Sequence, residues 1–324
     1  AGTGSLILRG TAGVYIQDAA GNENLLGAAV DGAVTLYHND AAKLATASGG
    51  VTVTGEVAAT SLDISGDIDV DGTTNLDAVD VDGAVNFAAD VTFADGADII
   101  TASAGTSNFR AGVNAGNSIA SGGDRNILIG YNAGTAITTG DSNVAIGWEA
   151  LKTEDAHANN VAIGHAALTT QNAGADAYNV AVGYNAGTLV TTGIQNTLIG
   201  GLAGDALTTA NYNVAVGYNA AGSSTTGHSN SVLGRHALKN NTTGSNNVAI
   251  GRDALEANTT ADDNTALGYN TLTANTTGAS NTAVGKFALR YNTTGTYNTA
   301  LGHTALTANV LGTHSVAIGN GALA

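Results

Sequence analysis

The residues best suited to chemistry lie in one charged stretch of a sequence that is otherwise poor in charge. Trp148 and Glu149 open this stretch, and Glu154, Asp155 and His157 follow within nine positions. Aromatic faces suit sugar rings, and carboxylates and imidazoles form hydrogen bonds with hydroxyl groups. We therefore take these five residues as a candidate glycan-binding patch. A carboxylate pair beside a tryptophan also suits glycoside hydrolysis, but that reaction needs a carboxyl group of raised pKa in a cleft.

Other motifs in the chain add no enzymatic or metal-binding hypothesis. Asp67–Gly72 matches the opening of a calcium-binding loop, but its twelfth position is Ala78 instead of Glu, and strand alternation explains the same carboxylates. The seven histidines are scattered, and no Walker loop, nucleophile elbow or dinucleotide fingerprint occurs. Glycosylation sequons begin at Asn258, Asn275 and Asn292, where the chemistry of a recurring turn explains them. We predict no enzymatic activity, no metal and no cofactor.

The charged stretch interrupts a repeat that continues to the C-terminus. Its clearest copy is Asn-Val-Ala-Ile-Gly at residues 143–147, and copies begin 17 residues apart except for one interval of 19. The copies begin at Asn126, Asn143, Asn160, Asn179, Asn196, Asn213, Asn230, Asn247, Asn264, Asn281, Asn298 and Ser315. A constant period of this size is typical of a solenoid. We predict twelve coils over residues 126–324, with the two extra residues bulging outward near Gly174–Tyr178.

Each coil, numbered from its Asn, has a fixed pattern of residue types. Positions 2 to 4 are mostly aliphatic or small, and position 5 is always Gly, which indicates a short strand that ends at a corner. Position 8 is Ala in all but one coil, position 9 is usually Leu, and Thr-Gly closes many coils. This second apolar stripe predicts another short extended segment followed by a turn. The Asn at position 1 predicts a ladder of stacked side-chain amides.

Position 6 carries a large or charged side chain in most coils, and stacking would align these residues into one lengthwise strip. The position-6 strip comprises Tyr131, Trp148, His165, Tyr184, Tyr218, Arg235, Arg252, Tyr269, Lys286 and His303. Two interpretations stay open. The strip packs against a neighbouring protomer, or it contacts glycans.

The repeat resembles sequences from two families of fibrous proteins. The stretch Asn281–Gly295 is similar to the N-T-A-[LV]-G-Y-x-A-L-x-x-N-T-T-G repeats of bacteriophage tail fibres. Ser315–Gly319 is nearly the S-V-A-I-G phrase of the heads of trimeric autotransporter adhesins. The resemblance covers residues 126–324 and concerns the architecture more than the ligand. Both families are homotrimers, so the resemblance implies a parallel homotrimeric fibre.

The first third of the chain differs from the repeat. Residues 1–60 alternate short apolar runs with Gly and Asn or Asp, which predicts short strands and tight turns. Residues 61–107 alternate aspartates with Val, Ile and Phe, which predicts strands with one wet face and a thin apolar face that needs a partner. Residues 108–125 are a connection or a degenerate first coil. The predicted fold class is thus all-β, with β-solenoid or β-roll coils preceded by an acidic, intertwined β-strand shaft.

Composition restricts the possible partners. The net charge of −16 argues against binding to nucleic acid or to an anionic membrane surface. No stretch is long and apolar enough for a transmembrane helix, so no membrane insertion is expected. The chain contains no Cys, which excludes disulfide bonds. It begins with Ala1 instead of Met, so processing and secretion stay open.

The five-residue strand motif at positions 1 to 5 of each coil also predicts how the chain assembles. Positions 2 and 4 point to one side of a strand and position 3 to the other, and both sides are apolar. One side belongs to the coil interior and the other needs an identical chain. We expect the small Ala at position 3 to form the contact between protomers, and the isolated chain not to fold stably.

The resemblance implies a structural and adhesive function. The chain would be a segment of a phage tail fibre, extracellular on the virion, that projects a receptor-binding end to the host surface. Its partners would be two further copies of itself, other tail or fibre proteins of the virion, and a glycan of the host surface. Two alternatives stay open, namely a trimeric adhesin on a bacterial cell surface and a polysaccharide-degrading tailspike.

Overall fold

The computed structural model describes residues 12–21, 23–58 and 103–324, and every regular element in these ranges is a β-strand. The chain divides into two units, Ala1–Asp90 and Val91–Ala324. The acidic shaft predicted for residues 61–107 lies almost wholly outside the described residues, and so does the calcium-loop motif at Asp67–Gly72. None of the described segments is a helix long and apolar enough to cross a membrane.

The described part of the first unit is a five-stranded antiparallel meander with its strands in sequence order. The strands are β1 (Gly13–Gln17), β2 (Asn24–Ala29), β3 (Val34–His38), β4 (Ala41–Ala47) and β5 (Gly50–Val53).

Cross-strand pairing places apolar side chains on one face of this meander. Ile16 lies opposite Leu26, Leu26 opposite Leu36, Leu36 opposite Leu44, and Leu44 opposite Val53. Directly paired residues share a face of the sheet. Ile16 is 49% exposed, and Leu36 and Val53 are each 41% exposed. The described residues of this unit therefore leave a largely uncovered apolar face.

The second unit is a parallel β-solenoid, which confirms the all-β fold predicted from the 17-residue period. The thirteen strands in residues 103–324 form one sheet in strict sequence order. They are β6 (Phe109–Ala111), β7 (Ile127–Ile129), β8 (Val144–Ile146), β9 (Val161–Ile163), β10 (Val180–Val182), β11 (Thr197–Ile199), β12 (Val214–Val216), β13 (Ser231–Leu233), β14 (Val248–Ile250), β15 (Thr265–Leu267), β16 (Thr282–Val284), β17 (Thr299–Leu301) and β18 (Val316–Ile318). Twelve steps between strands about 4.8 Å apart make a stack on the order of 60 Å long.

The strands place position 3 inside the coil and positions 2 and 4 outside. Ala145, Ala162 and Ala249 at position 3 are fully buried, whereas Leu267 and Leu301 at position 4 are 43% and 46% exposed. The expectation that position 3 forms the contact between protomers is therefore wrong. Most coils carry Ala at this position, and a few carry a larger aliphatic residue that is equally buried, namely Leu128, Leu198 and Val232. The narrow interior of the coil is thus filled by its own side chains.

The predicted ladder of asparagine amides at position 1 is confirmed. Oδ1 of Asn126 accepts a hydrogen bond from the backbone N–H of Asn143 at 2.9 Å, and Asn143 accepts one from Asn160 in the same way at 3.0 Å. The Nδ2 of Asn126 donates to the carbonyl of Gly140 at 2.8 Å. Each amide thus joins its own turn to the next coil, which satisfies buried groups that would otherwise be costly.

Position 5 requires glycine because adjacent coils approach closely at this corner. Gly147 has a φ of 135°, and a Cβ there would clash with the carbonyl oxygen of Gly164 in the next coil. No other residue type fits both the conformation and the contact.

The second half of each coil consists of consecutive tight turns, so the predicted second extended segment is wrong. Glu149 and Leu151, at positions 7 and 9, have φ values of 53° and 50°, and Ser142 at position 17 has a φ of 57°. Such left-handed conformations are uncommon for residues other than glycine. Hydrogen bonds between coils hold them, for example from Glu149 N–H to the Tyr131 carbonyl at 2.9 Å and from Leu151 N–H to the Ala167 carbonyl at 3.0 Å.

Positions 9 and 12 share the remaining space inside the coil. Where position 9 is Gly204, position 12 is Leu207, and a Cβ on the glycine would lie 2.7 Å from Cδ1 of that leucine. Where position 9 is Leu255, position 12 is Asn258, and both side chains are fully buried. Most coils therefore hold one large apolar side chain at one of these two positions and a small or polar residue at the other, while one coil has the small residues Ala221 and Ser224 at both.

Position 12 forms a second internal ladder in the C-terminal coils. Nδ2 of Asn258 donates to Oδ1 of Asn241 at 2.9 Å, Asn275 donates to Asn258 at 3.1 Å, and Asn292 donates to Asn275 at 2.9 Å. Asn258, Asn275 and Asn292 are fully buried. Turn chemistry alone therefore does not account for them, and their amides are closed to glycosylation in the folded coil.

The two-residue insertion bulges outward, as predicted. Val161 still pairs with Val180 and Ala162 with Ala181, so the strands on either side of the insertion remain neighbours in register. Residues 174–176 are exposed, and nothing lies within 4 Å of a Cβ built on Gly174. The stack is uninterrupted through this coil.

Candidate functional site

Trp148 lies in a stack of aromatic rings that follows the position-6 strip. Its ring centroid is 6.4 Å from that of Tyr131 and 4.5 Å from that of His165, with interplanar angles of 11° and 14°. His165 in turn stacks on Tyr184 at 5.2 Å. Trp148 is 44% exposed. Since both of its faces have ring neighbours, a ligand would reach chiefly the ring edge.

Glu149 pairs with a lysine of its own turn. Lys152 Nζ lies 2.7 Å from Glu149 Oε1, and the two side chains are 37% and 16% exposed. Positions 7 and 10 face each other across the left-handed turn, which brings these two residues together. The pair neutralises the negative charge at this end of the predicted patch.

Glu154 points into the coil, because it occupies position 12. Its side chain is fully buried, and its Oε1 accepts hydrogen bonds from Nδ1 of His157 at 2.8 Å and from the backbone N–H of the same residue at 3.3 Å. Among the described residues, its Oε2 has no hydrogen-bond partner, nor does Nε2 of Gln171 at position 12 of the next coil. Burial raises the pKa of the Glu154 carboxyl, and the hydrogen bonds from His157 oppose this only in part.

Asp155 joins Glu154 and His157 in one compact group. The ligand atoms of the three residues all lie within 4.8 Å of one another. Asp155 is 49% exposed at its side chain, and its Oδ1 accepts a hydrogen bond from the Ala156 N–H at 2.6 Å. No hydrogen bond or ring contact in the described residues joins Trp148 to this group. The structure therefore divides the predicted patch into a ring stack, a salt bridge and a carboxylate–histidine group.

A second carboxylate–histidine group lies further along the solenoid. His236 Nδ1 is 3.6 Å from Asp253 Oδ1 and 4.0 Å from Glu256 Oε1. Burial lowers the pKa of His236, and the positive charges of Arg235 and Lys239 lower it further. Both groups have donor atoms of the types that bind metals. Their geometry does not require an ion, because hydrogen bonds or cations already satisfy part of each carboxylate.

Sequence reasoning missed residues that widen the position-6 strip in the C-terminal coils. Lys239 and Arg290 at position 10 lie near the same edge, and Phe287 at position 7 lies between cations. Lys286 Nζ is 4.8 Å and Arg290 Cζ is 4.6 Å from the Phe287 ring centroid. The available signal was the recurrence of a cation four residues after a cation at position 6, as in Arg235 and Lys239.

The outward face of the solenoid sheet is the other feature that the sequence did not assign. Positions 2 and 4 of β7 to β18 are Val, Ile, Leu, Thr or Ser without exception, and none is charged. We call these residues the outer ladder. Its exposed members include Ile127, Val214, Leu233 and Ile318, which are 42%, 44%, 51% and 68% exposed. An uncharged apolar stripe of this length is typical of an interface.

Comparison with known proteins gives no relative for this chain. No protein-family model matches it, and neither the curated proteins nor the solved structures contain a significant match.

Proposed function

We propose that the chain is a shaft segment of an adhesive fibre, of the type found in phage tail fibres, and that it works as a parallel homotrimer. The observation that carries this proposal is the outer ladder, which continues along every coil from β7 to β18 without a charge. Burying one leucine or isoleucine side chain contributes about 2 kcal/mol, so a stripe of this length supports a stable interface.

An identical chain suits the outer ladder better than an unrelated partner does. The ladder repeats once per coil, and a second solenoid of the same period presents matching side chains at each height. Symmetric association of identical chains covers such a surface along its whole length. The uncovered face of the N-terminal meander, with Ile16, Leu36 and Val53, has the same need for a partner. The three-fold order comes from the resemblance to homotrimeric fibres.

The proposal places the protein outside the cell, as part of a virion tail fibre that projects a receptor-binding end to the host surface. Other tail or fibre proteins and a host-surface glycan are the partners that this role implies. The phrase at Ser315–Gly319 favours a trimeric adhesin on a bacterial surface as the second candidate.

A hydrolytic tailspike ranks below these two functions. The raised pKa of Glu154 is a property that a general acid needs, but its side chain is fully buried inside the coil. A glycosidic bond of a polymer would not reach this carboxyl group without opening of the coil.

The proposal is tested by adding charge to the outer ladder. We predict that Leu267→Asp combined with Leu301→Asp prevents assembly, because each carboxylate would have to be desolvated at the contact between protomers. Native mass spectrometry reports the number of chains. The matched control is Thr277→Asp with Thr294→Asp, which adds the same charge at exposed position 14 of two coils. Unchanged assembly of the Leu double variant, or equal loss in both, would refute the interface.

A further inference from the structure

The basic residues of this acidic chain are concentrated on one edge of four successive coils. Arg235, Lys239, Arg252, Lys286 and Arg290 make up five of its ten Lys and Arg residues, in a chain of net charge −16. We call these five residues the cationic edge. At positions 6, 7 and 10 of these four coils, the only acidic residues are Asp253 and Glu256. The edge is thus a local excess of positive charge.

Hydrogen bonds between coils keep this edge in register. Asp253 N–H donates to the Arg235 carbonyl, Asn270 N–H to the Arg252 carbonyl, and Phe287 N–H to the Tyr269 carbonyl, each at 3.1 Å. The side chains at position 6 therefore follow one another at intervals of one coil, about 4.8 Å. The result is a straight row of functional groups instead of a scatter of surface charges.

Aromatic rings hold several of these cations in place. Arg252 Cζ lies 5.4 Å and Lys286 Nζ 5.9 Å from the Tyr269 ring centroid. Lys286 and Arg290 also contact the Phe287 ring, and Arg290 contacts Tyr291 at 5.1 Å. Such contacts orient a cation without neutralising it.

Most residues of the cationic edge form no salt bridge with a carboxylate among the described residues. Arg252 Nε lies 3.0 Å from Asp253 Oδ2, and this is the one salt bridge of an edge residue within the described ranges. Lys286 and Arg252 are exposed, so their charges face solvent. Guanidinium and ammonium groups presented in this way bind carboxylate, sulfate or phosphate groups.

We propose that the cationic edge binds an anionic polysaccharide along the axis of the solenoid. The position-6 cations lie one coil apart at Arg235 and Arg252 and two coils apart at Arg252 and Lys286. One coil is of the same order of length as one sugar residue, so acidic groups on nearby sugar residues of an extended chain can meet these cations. A polysaccharide with one carboxylate per sugar residue carries fewer charges per unit length than double-stranded DNA, which suits five cations on an acidic molecule. The inference rests on the proposed function, because it supplies the class of surface to which the fibre attaches.

The proposal is tested with the full chain and polymers of defined charge. Biolayer interferometry would compare polygalacturonate, which carries carboxylates, heparin, which carries sulfates, neutral dextran and a single-stranded DNA oligonucleotide. We expect binding to one or both of the acidic polysaccharides, weakening with added salt, and none to dextran. Failure to bind either acidic polysaccharide, equal binding to dextran, or tighter binding to DNA would overturn the proposal.

A matched pair of charge variants locates the site. Arg252→Gln with Lys286→Gln should weaken polysaccharide binding about tenfold, which corresponds to two exposed charge contacts. Arg125→Gln with Lys152→Gln removes the same charge elsewhere on the solenoid and should leave binding within about twofold of the parent. Equal loss in both variants would overturn the assignment. Native mass is measured on the same samples, so failure of assembly and failure of polysaccharide binding are separately visible.

Discussion

At the scale of single residues, Glu154 departs most from the rule of the repeat. Its equivalents in other coils are uncharged residues, whereas Glu154 places a carboxyl group in the interior; they are Ile137, Val190, Leu207, Gln171, Ser224 and the asparagines of the position-12 ladder. One oxygen is satisfied by His157, and the other has no hydrogen-bond partner in the part of the chain that the structure describes. An ionised carboxylate in this position is disfavoured by its loss of hydration.

We predict that Glu154→Gln makes the protein more stable, by a margin that grows with pH. The pKa of Glu154 is raised in the folded state, so stability associated with its protonated form is complete below the unfolded pKa. That stability is lost as pH rises through the folded pKa. The melting temperatures of the variant and the parent should therefore diverge between about pH 4 and about pH 8, with the variant melting at the higher temperature at the upper end of this range.

The comparison needs a carboxylate outside the interior as its control. Glu149→Gln removes the partner of Lys152 at 2.7 Å and should give no such pH-dependent gain. A difference in melting temperature between Glu154→Gln and the parent that is the same at every pH would show that ionisation of the buried carboxyl group does not cause the gain in stability.

Sequence reasoning identified Glu154 as unusual and placed its side chain in a surface patch. The error arose because a single coil does not reveal which residues of a turn point inward. Positive φ values at non-glycine residues such as Glu149 and Leu151 reverse the direction of the chain twice within a few residues. These conformations depend on hydrogen bonds to adjacent coils, which sequence patterns do not show.

At the scale of the coil, the same few interior positions are filled in each coil by a small set of residue types. In most coils Ala at positions 3 and 8 leaves room for one large apolar side chain from position 9 or 12, whereas the coil of Gly204 is filled by Leu198 at position 3 and Leu207 at position 12. Such cores tolerate the exchange of one apolar residue for another when the total side-chain volume is kept, and overfilling destabilises them.

We predict that Gly204→Leu destabilises the protein by about 1 to 3 kcal/mol because it overfills its coil. A Cβ at this position already lies 2.7 Å from Leu207 and 2.8 Å from Leu198 side-chain atoms. Combining it with Leu198→Ala and Leu207→Asn reproduces the pattern of Ala249, Leu255 and Asn258 and should recover most of the loss. Chemical denaturation measures both variants.

The same experiment can contradict this account of the core. A single Gly204→Leu variant as stable as the parent would show that the interior has spare volume. A triple variant that is less stable than the single one would show that positions 3, 9 and 12 do not compensate one another.

At this scale, the features that were predicted correctly are those that recur at the same position of every coil. The strands, the glycine corner at Gly147 and the position-1 ladder that includes Asn126 and Asn143 were all predicted, because each depends on contacts between identical positions of adjacent coils. The turn side of the coil was not, because Ala and Leu at positions 8 and 9 resemble an extended apolar segment. Nothing in the alternation of residue types distinguishes that segment from two tight turns.

At the scale of the whole molecule, the proposed fibre depends on which face of the strand is free. Sequence reasoning predicted that one face needs a partner and assigned the wrong one, because Ala at position 3 suits both a narrow interior and a close approach of chains. The exposure of Leu267 and Leu301 against the complete burial of Ala266 and Ala300 assigns the free face to positions 2 and 4.

The most direct test of the central claim is the mass of the unmodified protein in solution, followed during dilution together with its circular dichroism. The account predicts an assembly of three 31.8 kDa chains, and loss of the β signal when the chains separate. Coupled loss is expected because an uncovered outer ladder and an uncovered meander face leave too little buried apolar surface. A well-folded monomer of 31.8 kDa that keeps its β signal on dilution would contradict it.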